Sequence, residues 1–265
     1  MTMLHVCALS HIGKVRTENQ DAFLINGMVD QEFIELKLSE QGLIFNRYGL
    51  LCAVADGMGG HRGGGIASKQ ALDLLSLEFH RLAKLEDVQR ASQYIDHCIL
   101  NIHRQLLGRG TKESELSGMG TTLLGVYLHP GFACAFHAGD SRLYRFRSGT
   151  LMQLTSDHRP EVTLVTNYGR LSSDVKSGII TNCVGCNANS CKPELSKVSF
   201  HRNDTLMLCS DGLSDMLELE FMEAILNQEQ NLPESTRKMV AEANKAGGFD
   251  NITLVLIKKE DDYYG

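Results

Sequence analysis

Several features that define other classes of protein are missing from this 265-residue sequence. No apolar run approaches the ~18 residues of a membrane-spanning helix. Residues 1–14 lack the basic start, hydrophobic stretch and cleavage site of a signal peptide. There are only 4 prolines, and no run of basic residues stands out in a chain of net charge −6. These absences predict a globular cytoplasmic protein that binds neither membranes nor nucleic acids.

The eight cysteines do not form an obvious framework of disulfides. Most lie within apolar strand-like or helix-like runs, where Cys behaves as a small hydrophobe, so we expect reduced thiols. Cys183, Cys186 and Cys191 form a C-x2-C-x4-C pattern that leaves zinc binding or redox regulation open, with His158 as a candidate fourth ligand. Thiols without a metal are the favoured interpretation.

Predicted strands and helices come in blocks along the chain. Apolar runs predict strands at 4–9, 22–25 and 50–55, the last of which ends at Asp56. Two amphipathic helices follow, at 66–83 and 88–107, the second ending at Gly108. The rest is predicted as an antiparallel meander (120–154), an irregular insertion resembling a flap (about 156–196), strands at 205–209 and 252–258, and helices near 214–227 and 233–246. Blocks without regular alternation favour an α+β layered sandwich, and we expect one domain over residues 1–265.

Four aspartates lie where predicted strands begin or end: Asp56, Asp140, Asp211 and Asp250. Each alone is compatible with a simple turn. Several carboxylates that converge at the edge of a core cannot all stay ionised without a compensating cation. Oxygen ligands without a neighbouring Cys/His pattern favour Mg²⁺ or Mn²⁺ over structural zinc. The four together therefore predict a metal centre able to polarise a phosphoryl group.

Six segments of the sequence resemble the motifs of bacterial PP2C-type (PPM family) serine/threonine phosphatases, in the family's order. They are RTENQDAF (16–23), VADGMGGHRGGGIAS (54–68), GTTLLGVYL (120–128), HAGDSRLYRF (137–146), LCSDGLSD (208–215) and FDNITLVLI (249–257). The segments span nearly the whole chain, so the match is specific. The resemblance implies a four-layer α-β-β-α sandwich, in which helices flank two antiparallel sheets and a metal cluster lies at one end of the sheets.

The same resemblance implies a ligand role for each carboxylate. Asp56 would bridge two Mn²⁺ or Mg²⁺ ions, while Asp21 would act through water. Asp140 would pair with Asp211 at a third, weaker ion site. The remaining ligands would be the Gly57 carbonyl on one bridged ion and Asp211 and Asp250 on the other.

The resemblance also implies a mechanism, in which metal-activated water attacks the phosphorus of phosphoserine or phosphothreonine directly. Arg16 is the counterpart of the guanidinium that binds the substrate phosphate, and Asp56 and Asp211 belong to the catalytic set. His61 is a candidate proton donor to the leaving alkoxide. The implied partners are phosphoproteins and a cognate Ser/Thr kinase, and we expect a monomer.

Two alternatives remain to be tested. His97 to Arg104 matches the H-C-x5-R string of cysteine-dependent phosphatases, but its five intervening residues contain no glycine and Cys98 falls on the apolar stripe of a predicted helix. The second alternative is a catalytically silent protein that binds phosphoproteins. The presence of every predicted metal-binding aspartate argues against it.

Overall fold

A computed structural model of the chain describes residues 2–59, 63–85, 87–160, 163–166, 169–172, 179–186, 191–229 and 231–261. The strands are β1 (Thr2–His11), β2 (Asp21–Ile25), β3 (Met28–Asp30), β4 (Ile34–Ser39), β5 (Leu50–Met58), β6 (Gly120–Thr121), β7 (Leu123–His129), β8 (Phe132–Ala138), β9 (Arg142–Arg147), β10 (Thr150–Gln153), β11 (Thr163–Thr166), β12 (Gly169–Ser172), β13 (Glu194–Lys197), β14 (Thr205–Cys209) and β15 (Ile252–Asp261). The helices are α1 (Leu43–Tyr48), α2 (Gly63–Leu82), α3 (Val88–Lys112), α4 (Asp211–Ser214), α5 (Leu219–Gln228) and α6 (Leu232–Lys245).

Two antiparallel sheets form the centre of the fold. One has the strand order β10-β9-β14-β15-β1-β4, and the other has β13-β8-β7-β5-β2-β3 with β6 added beside β5. A buried cluster that includes Val6, Phe23, Leu124 and Val255 fills the space between them. Helices α2 and α3 pack on the second sheet, and α4, α5 and α6 pack on the first. The predicted four-layer α-β-β-α sandwich is therefore confirmed.

The central strands are continuous apolar runs because both faces of each sheet are covered. All five residues of β14 are buried, as are the first six of β5 and of β15. A strand with only one buried face would alternate apolar and polar residues. Among the described residues, no helix combines the length and the apolar character needed to cross a membrane.

Two predicted boundaries are wrong for local reasons. Strand β5 continues past Asp56 because Gly57 and Met58 pair with β6. Helix α3 continues past Gly108 to Lys112, where the N–H of Glu113 donates to the carbonyl of Arg109 at 2.9 Å, so the helix tolerates the cost of a glycine in its interior. The short helix α1 was not predicted either.

The predicted meander over 120–154 is divided between the sheets. Strands β7 and β8 pair in the second sheet, whereas β9 and β10 pair in the first. Residues 139–141 cross from one sheet to the other. Gly139 has φ +128°, and a Cβ there would lie 2.6 Å from Cγ2 of Thr122, so the crossover requires glycine. This crossover carries Asp140.

The predicted irregular insertion at about 156–196 lies partly outside the described residues. Within them it contains regular structure. Strands β11 and β12 form an antiparallel hairpin, and β13 extends the second sheet beside β8. The prediction of an irregular segment is therefore wrong for these parts.

Two glycine-to-alanine substitutions test how tightly the second sheet is packed. Gly125 lies opposite Phe136, and a Cβ at Gly125 would fall 2.2 Å from Cζ of that fully buried ring. We expect Gly125→Ala to lower the free energy of unfolding by about 1–3 kcal/mol, because the ring has no room to move. Denaturant unfolding of the purified variants measures the change.

Gly108→Ala provides the matched control. Gly108 lies within α3, and a Cβ there would meet nothing within 4 Å. Alanine should raise the free energy of unfolding by up to about 1 kcal/mol through helix propensity. Equal effects of the two substitutions would contradict the packing that we describe around Phe136.

Candidate active site

The predicted carboxylates meet at one end of the two sheets. Asp21 begins β2 and lies opposite Asp56 of β5 in the antiparallel register. In the other sheet, Asp211 follows β14 and Asp250 precedes β15, and these two strands pair with each other. Asp140 lies on the crossover between the sheets. The ends of five strands thus place the five aspartates in one region.

A cleft of about 720 Å³ opens at this end of the sandwich. It is lined by six of the predicted site residues, namely Arg16, Asp56, Gly57, Asp140, Asp211 and Asp250. Asp21 is buried instead, with 1% of its surface exposed. His61 lies outside the described residues, so its role stays a prediction.

Gly57 lies where the backbone of three segments converges. A Cβ at this position would lie 2.2 Å from the carbonyl oxygen of Gly64 and 2.7 Å from that of Gln20. No larger residue fits at such a close approach of main chains. The start of α2 and the end of the 12–20 segment therefore pack directly against the strand that carries Asp56.

Asp56 is braced through its backbone by two threonines that the sequence analysis missed. Its N–H donates to Oγ1 of Thr122 at 3.0 Å, and its carbonyl accepts from the Thr122 N–H and the Thr121 hydroxyl, both at 2.8 Å. Oγ1 of Thr122 also lies 2.8 Å from Oγ of Ser141, next to Asp140. The threonine pair in GTTLLGVYL was the available signal, since buried hydroxyls need partners.

Asn251 fixes the segment that carries Arg16. Its side-chain oxygen accepts from the backbone N–H of Gln20 at 2.8 Å. Its side-chain nitrogen donates to the carbonyls of Ile12 and Glu18 at 2.8 and 3.0 Å. The polar segment between β1 and β2 is thereby tied to the residue that follows Asp250.

Ser210 performs a similar task for Asp21. Its hydroxyl donates to Oδ2 of Asp21 at 2.7 Å and accepts from the N–H of Thr253 at 2.9 Å. Ser210 is itself fully buried. One hydroxyl therefore links a carboxylate of the second sheet to two strands of the first.

Arg16 reaches the cleft and pairs with a predicted metal ligand. Its Nε and Nη2 donate to the two carboxylate oxygens of Asp250 at 2.9 and 2.6 Å. The Arg16 side chain is 56% exposed, and exposed ion pairs add little stability. Its guanidinium can therefore exchange Asp250 for another bidentate anion at small cost, and a phosphate is such an anion.

Arg159 is a site residue that the sequence analysis missed. Its Nε donates to Oδ2 of Asp140 at 2.7 Å, and its Nη2 donates to Oδ2 of Asp211 at 3.1 Å. Its Nη1 lies 3.6 Å from Oδ2 of Asp215. The residue falls at the start of the segment predicted to be an irregular insertion, so no motif pointed to it.

The cluster carries more negative charge than the two arginines neutralise. Burial, reinforced by Asp211 and Asp250, raises the pKa of Asp21 to about 8 although the Ser210 hydroxyl opposes the shift. Burial also raises the pKa of Asp211 to about 7, with contributions from Asp140, Asp215 and Asp250. The pKa of Asp56 lies well above its ordinary value because of burial and the neighbouring carboxylates. Such shifts mark a place that favours an added positive charge.

The donor atoms fit divalent cations of the hard type. Oδ1 of Asp21 and Oδ1 of Asp140 are buried and have no hydrogen-bond partner among the described residues. Buried acceptors normally have partners, so these two oxygens are suited to an ion or ordered water. The surrounding donors are carboxylate and carbonyl oxygens, which Mg²⁺ and Mn²⁺ prefer.

The geometry does not support a cysteine nucleophile. Cys98 is 6% exposed within α3. Burial, with a smaller contribution from Glu78, raises the pKa of its thiol to about 11. Nucleophilic cysteines need the opposite shift, because the thiolate is the reactive form. The H-C-x5-R string is therefore part of a helix that packs against the core.

The cysteines at 183–191 differ from the prediction. Cys183 and Cys186 form a disulfide, whereas free, unliganded thiols were expected. Cys191 is a buried free thiol. His158 does not approach them as a metal ligand, because its Nδ1 accepts from the N–H of Gly139 at 3.0 Å and its Nε2 lies 3.1 Å from Glu194.

Comparison with known proteins assigns the chain to a family. Residues 41–246 match the sequence profile of protein phosphatase 2C. The chain belongs to this family. It is 34% identical to the serine/threonine phosphatase stp of Listeria welshimeri over 211 residues, which cover 78% of this chain and 83% of the relative. It is 31% identical to the protein phosphatase PhpP of Streptococcus pneumoniae over 265 residues, which cover 98% and 99% of the two chains.

Solved structures of the protein phosphatase 2C type share the fold. The S. agalactiae serine/threonine phosphatase superposes with a TM-score of 0.80 at 29% identity, covering 96% of this chain and 99% of that one. The catalytic domain of PstP, solved in complex with two manganese ions, superposes with a TM-score of 0.73 at 26% identity, covering 98% and 100%.

The charge of the site should make the stability of the metal-free protein depend on pH. The pKa of Asp21 is about 8 in the folded chain and ordinary when unfolded, so the folded chain binds the extra proton between these values. This contribution to stability is complete at low pH and is lost as the pH rises through about 8. In EDTA, the melting temperature of the wild type should therefore fall relative to that of Asp21→Asn between pH 5.5 and 8.5.

Asp204→Asn is the control for this measurement. Asp204 is also buried, but hydrogen bonds from Arg147 and the His201 N–H outweigh the effect of burial and lower its pKa. Asp204 therefore titrates below the tested pH range. The difference in melting temperature between the wild type and Asp204→Asn should be constant across that range. If the difference in melting temperature between the wild type and Asp21→Asn were constant as well, it would contradict the charge distribution described for the site.

Proposed function

We propose that this chain hydrolyses phosphoserine and phosphothreonine in proteins with the help of Mn²⁺ or Mg²⁺. The observation that carries the proposal is the convergence of five aspartates at one end of the sheets, four of which line the cleft. Burial raises the pKa values of four of the five, namely Asp21, Asp56, Asp140 and Asp211. Protein phosphatases such as stp and PhpP are relatives of the chain, and the related PstP domain binds two manganese ions. The chain is thus a metal-dependent protein serine/threonine phosphatase that acts on phosphoproteins.

Each of the predicted metal ligands receives a proposed role. Asp56 would ligate both ions, and Asp21 would act through water. The other proposed ligands are the Gly57 carbonyl, Asp211 and Asp250, with Asp140 and Asp211 available to a third ion. Ions bound there would stabilise charge on the phosphoryl oxygens and lower the pKa of a water molecule.

The protein's own side chains would position the substrate. The Arg16 guanidinium is exposed at the cleft and would bind the phosphate through two parallel hydrogen bonds in place of Asp250. His61 stays the predicted donor of a proton from its ring nitrogen to the leaving serine or threonine oxygen. Residues 156–196 are proposed as the flap beside the site within a single domain, with Ile180 lining the cleft.

The cellular setting belongs to the proposal as well. We expect the substrates to be products of a cognate Ser/Thr kinase, and we expect the chain to act as a monomer in the cytoplasm. The disulfide between Cys183 and Cys186 is unusual for a reducing compartment, so the redox state of the isolated protein is worth measuring beside its activity.

Hydrolysis of a phosphothreonine peptide tests the proposed function directly. Turnover should rise as Mn²⁺ is added and disappear in EDTA. Asp211→Asn should lower kcat/KM by at least about 100-fold, because it removes a proposed ligand. Cys98→Ser should retain activity, because its thiol is buried away from the cleft.

Two other results would lead to different conclusions. Activity that survives EDTA and is lost in Cys98→Ser would overturn the metal-dependent mechanism. A wild type that binds Mn²⁺ and phosphopeptide without turnover would identify a silent phosphoprotein-binding protein. Circular dichroism of each variant separates loss of activity from loss of folding.

A further inference from the structure

Arg159 lies within the carboxylate cluster and is not a surface charge. Its side chain is 14% exposed, and that of Asp140 is 3% exposed. Its Nε–H and one Nη2–H donate to different aspartates, Asp140 and Asp211, and Nη1 faces a third, Asp215. A planar fork of donors can span several carboxylates in this way, whereas a lysine would offer a single point of charge.

The backbone next to Arg159 is fixed near the cleft. Arg142 donates from Nη2 to Oδ2 of Asp157 at 2.7 Å. The backbone N–H of His158 donates to the carbonyl of Gly139 at 3.1 Å, and the N–H of Gly139 donates back to Nδ1 of His158 at 3.0 Å. The residues just before Arg159 are thus tied to the crossover that carries Asp140. The Arg159 side chain can therefore leave Asp140 and Asp211 by rotation, while the backbone at residues 157 and 158 stays in place.

The contacts of Arg159 coincide with those of a proposed ion site. Asp140 and Asp211 are the pair that would ligate the third ion, and each already accepts a hydrogen bond from this guanidinium through Oδ2. Oδ1 of Asp140 is buried and has no partner among the described residues, so it suits an ion, but an ion shared with Asp211 would lie against the guanidinium that already binds both carboxylates. A divalent ion and the guanidinium would compete for the same negative charge.

We propose that Arg159 is a built-in competitor of the third metal ion, so that a divalent cation binds between Asp140 and Asp211 only after the guanidinium leaves. The inference rests on the proposed function, which supplies the two tightly bound ions. Arg159 would then determine how much metal the site takes up beyond the two-ion centre, whose shared ligand Asp56 is not among the ion-pair partners of Arg159.

Equilibrium dialysis against Mn²⁺, with the bound metal measured by mass spectrometry, tests the inference without reference to activity. The wild type, Arg159→Ala and Arg159→Gln should all retain the tight ions. The last ion should bind at least about tenfold more tightly to both variants than to the wild type, because hydrogen bonds between charged groups no longer oppose it. The double variant Arg159→Ala/Asp140→Asn should lose this last ion, because it lacks the ligand.

Arg147→Ala is the matched control. Arg147 also pairs with a buried carboxylate, donating from Nε and Nη2 to Asp204, with both distances at 2.7 Å. It lies at the opposite end of β9 from the cleft. Arg147→Ala should bind Mn²⁺ as the wild type does. This result would show that loss of an arginine paired with a buried carboxylate does not by itself tighten binding of the last ion.

The outcomes separate failure of the inference from failure of the function. Equal affinity for the last ion in the wild type and in both Arg159 variants would overturn the competition. Loss of the tight ions in the Arg159 variants would overturn it too, since it would make Arg159 a support of the two-ion centre. A wild type that binds no Mn²⁺ would refute the proposed function itself, and the inference with it.

Discussion

Mutual repulsion among buried carboxylates is the constraint on which this end of the molecule depends. Five aspartates converge where the two sheets end, and burial makes the charged forms of Asp21, Asp56 and Asp211 costly. A fold tolerates such a cluster only if hydrogen bonds and cations compensate it. The hydroxyl of Ser210, the exposed guanidinium of Arg16 and the partly buried guanidinium of Arg159 supply part of this compensation. Divalent ions would complete it, which is why structure and metal chemistry cannot be separated here.

The two sheets hold the aspartates in defined positions because hydrogen bonding fixes the register of paired strands and therefore of their ends. Asp21 and Asp56 are cross-strand partners in one sheet, and the strands beside Asp211 and Asp250 are partners in the other. The apolar layer between the sheets then fixes the two pairs relative to each other. Hydrogen bonds from the Thr121 hydroxyl and the Thr122 N–H to the Asp56 carbonyl add a further restraint. Stability and function therefore share the same interactions.

The sequence predicted most of the strands and the position of the site, because both depend on local signals. Continuous apolar runs mark strands covered on both faces, and four aspartates at the ends of such runs together indicate a metal centre, although each alone is compatible with a turn. Features that depend on tertiary contacts were not predictable. The extension of β5 past Asp56 requires pairing with β6, and the crossover at Gly139 requires the close approach of Thr122. Arg159 was missed because its partners are distant in the chain.

Arg16 and Arg159 illustrate how burial gives one residue type two different tasks. Both form short ion pairs with proposed metal ligands, but the Arg16 side chain is 56% exposed and that of Arg159 only 14%. Water screens the first pair, so Arg16 can leave Asp250 for a substrate phosphate with little loss. The second pair is screened far less, so Arg159 leaves Asp140 only when a stronger cation takes its place. The exposure of each pair thus decides which partner is replaced: at Arg16 an anion replaces the carboxylate, and at Arg159 a metal cation replaces the arginine.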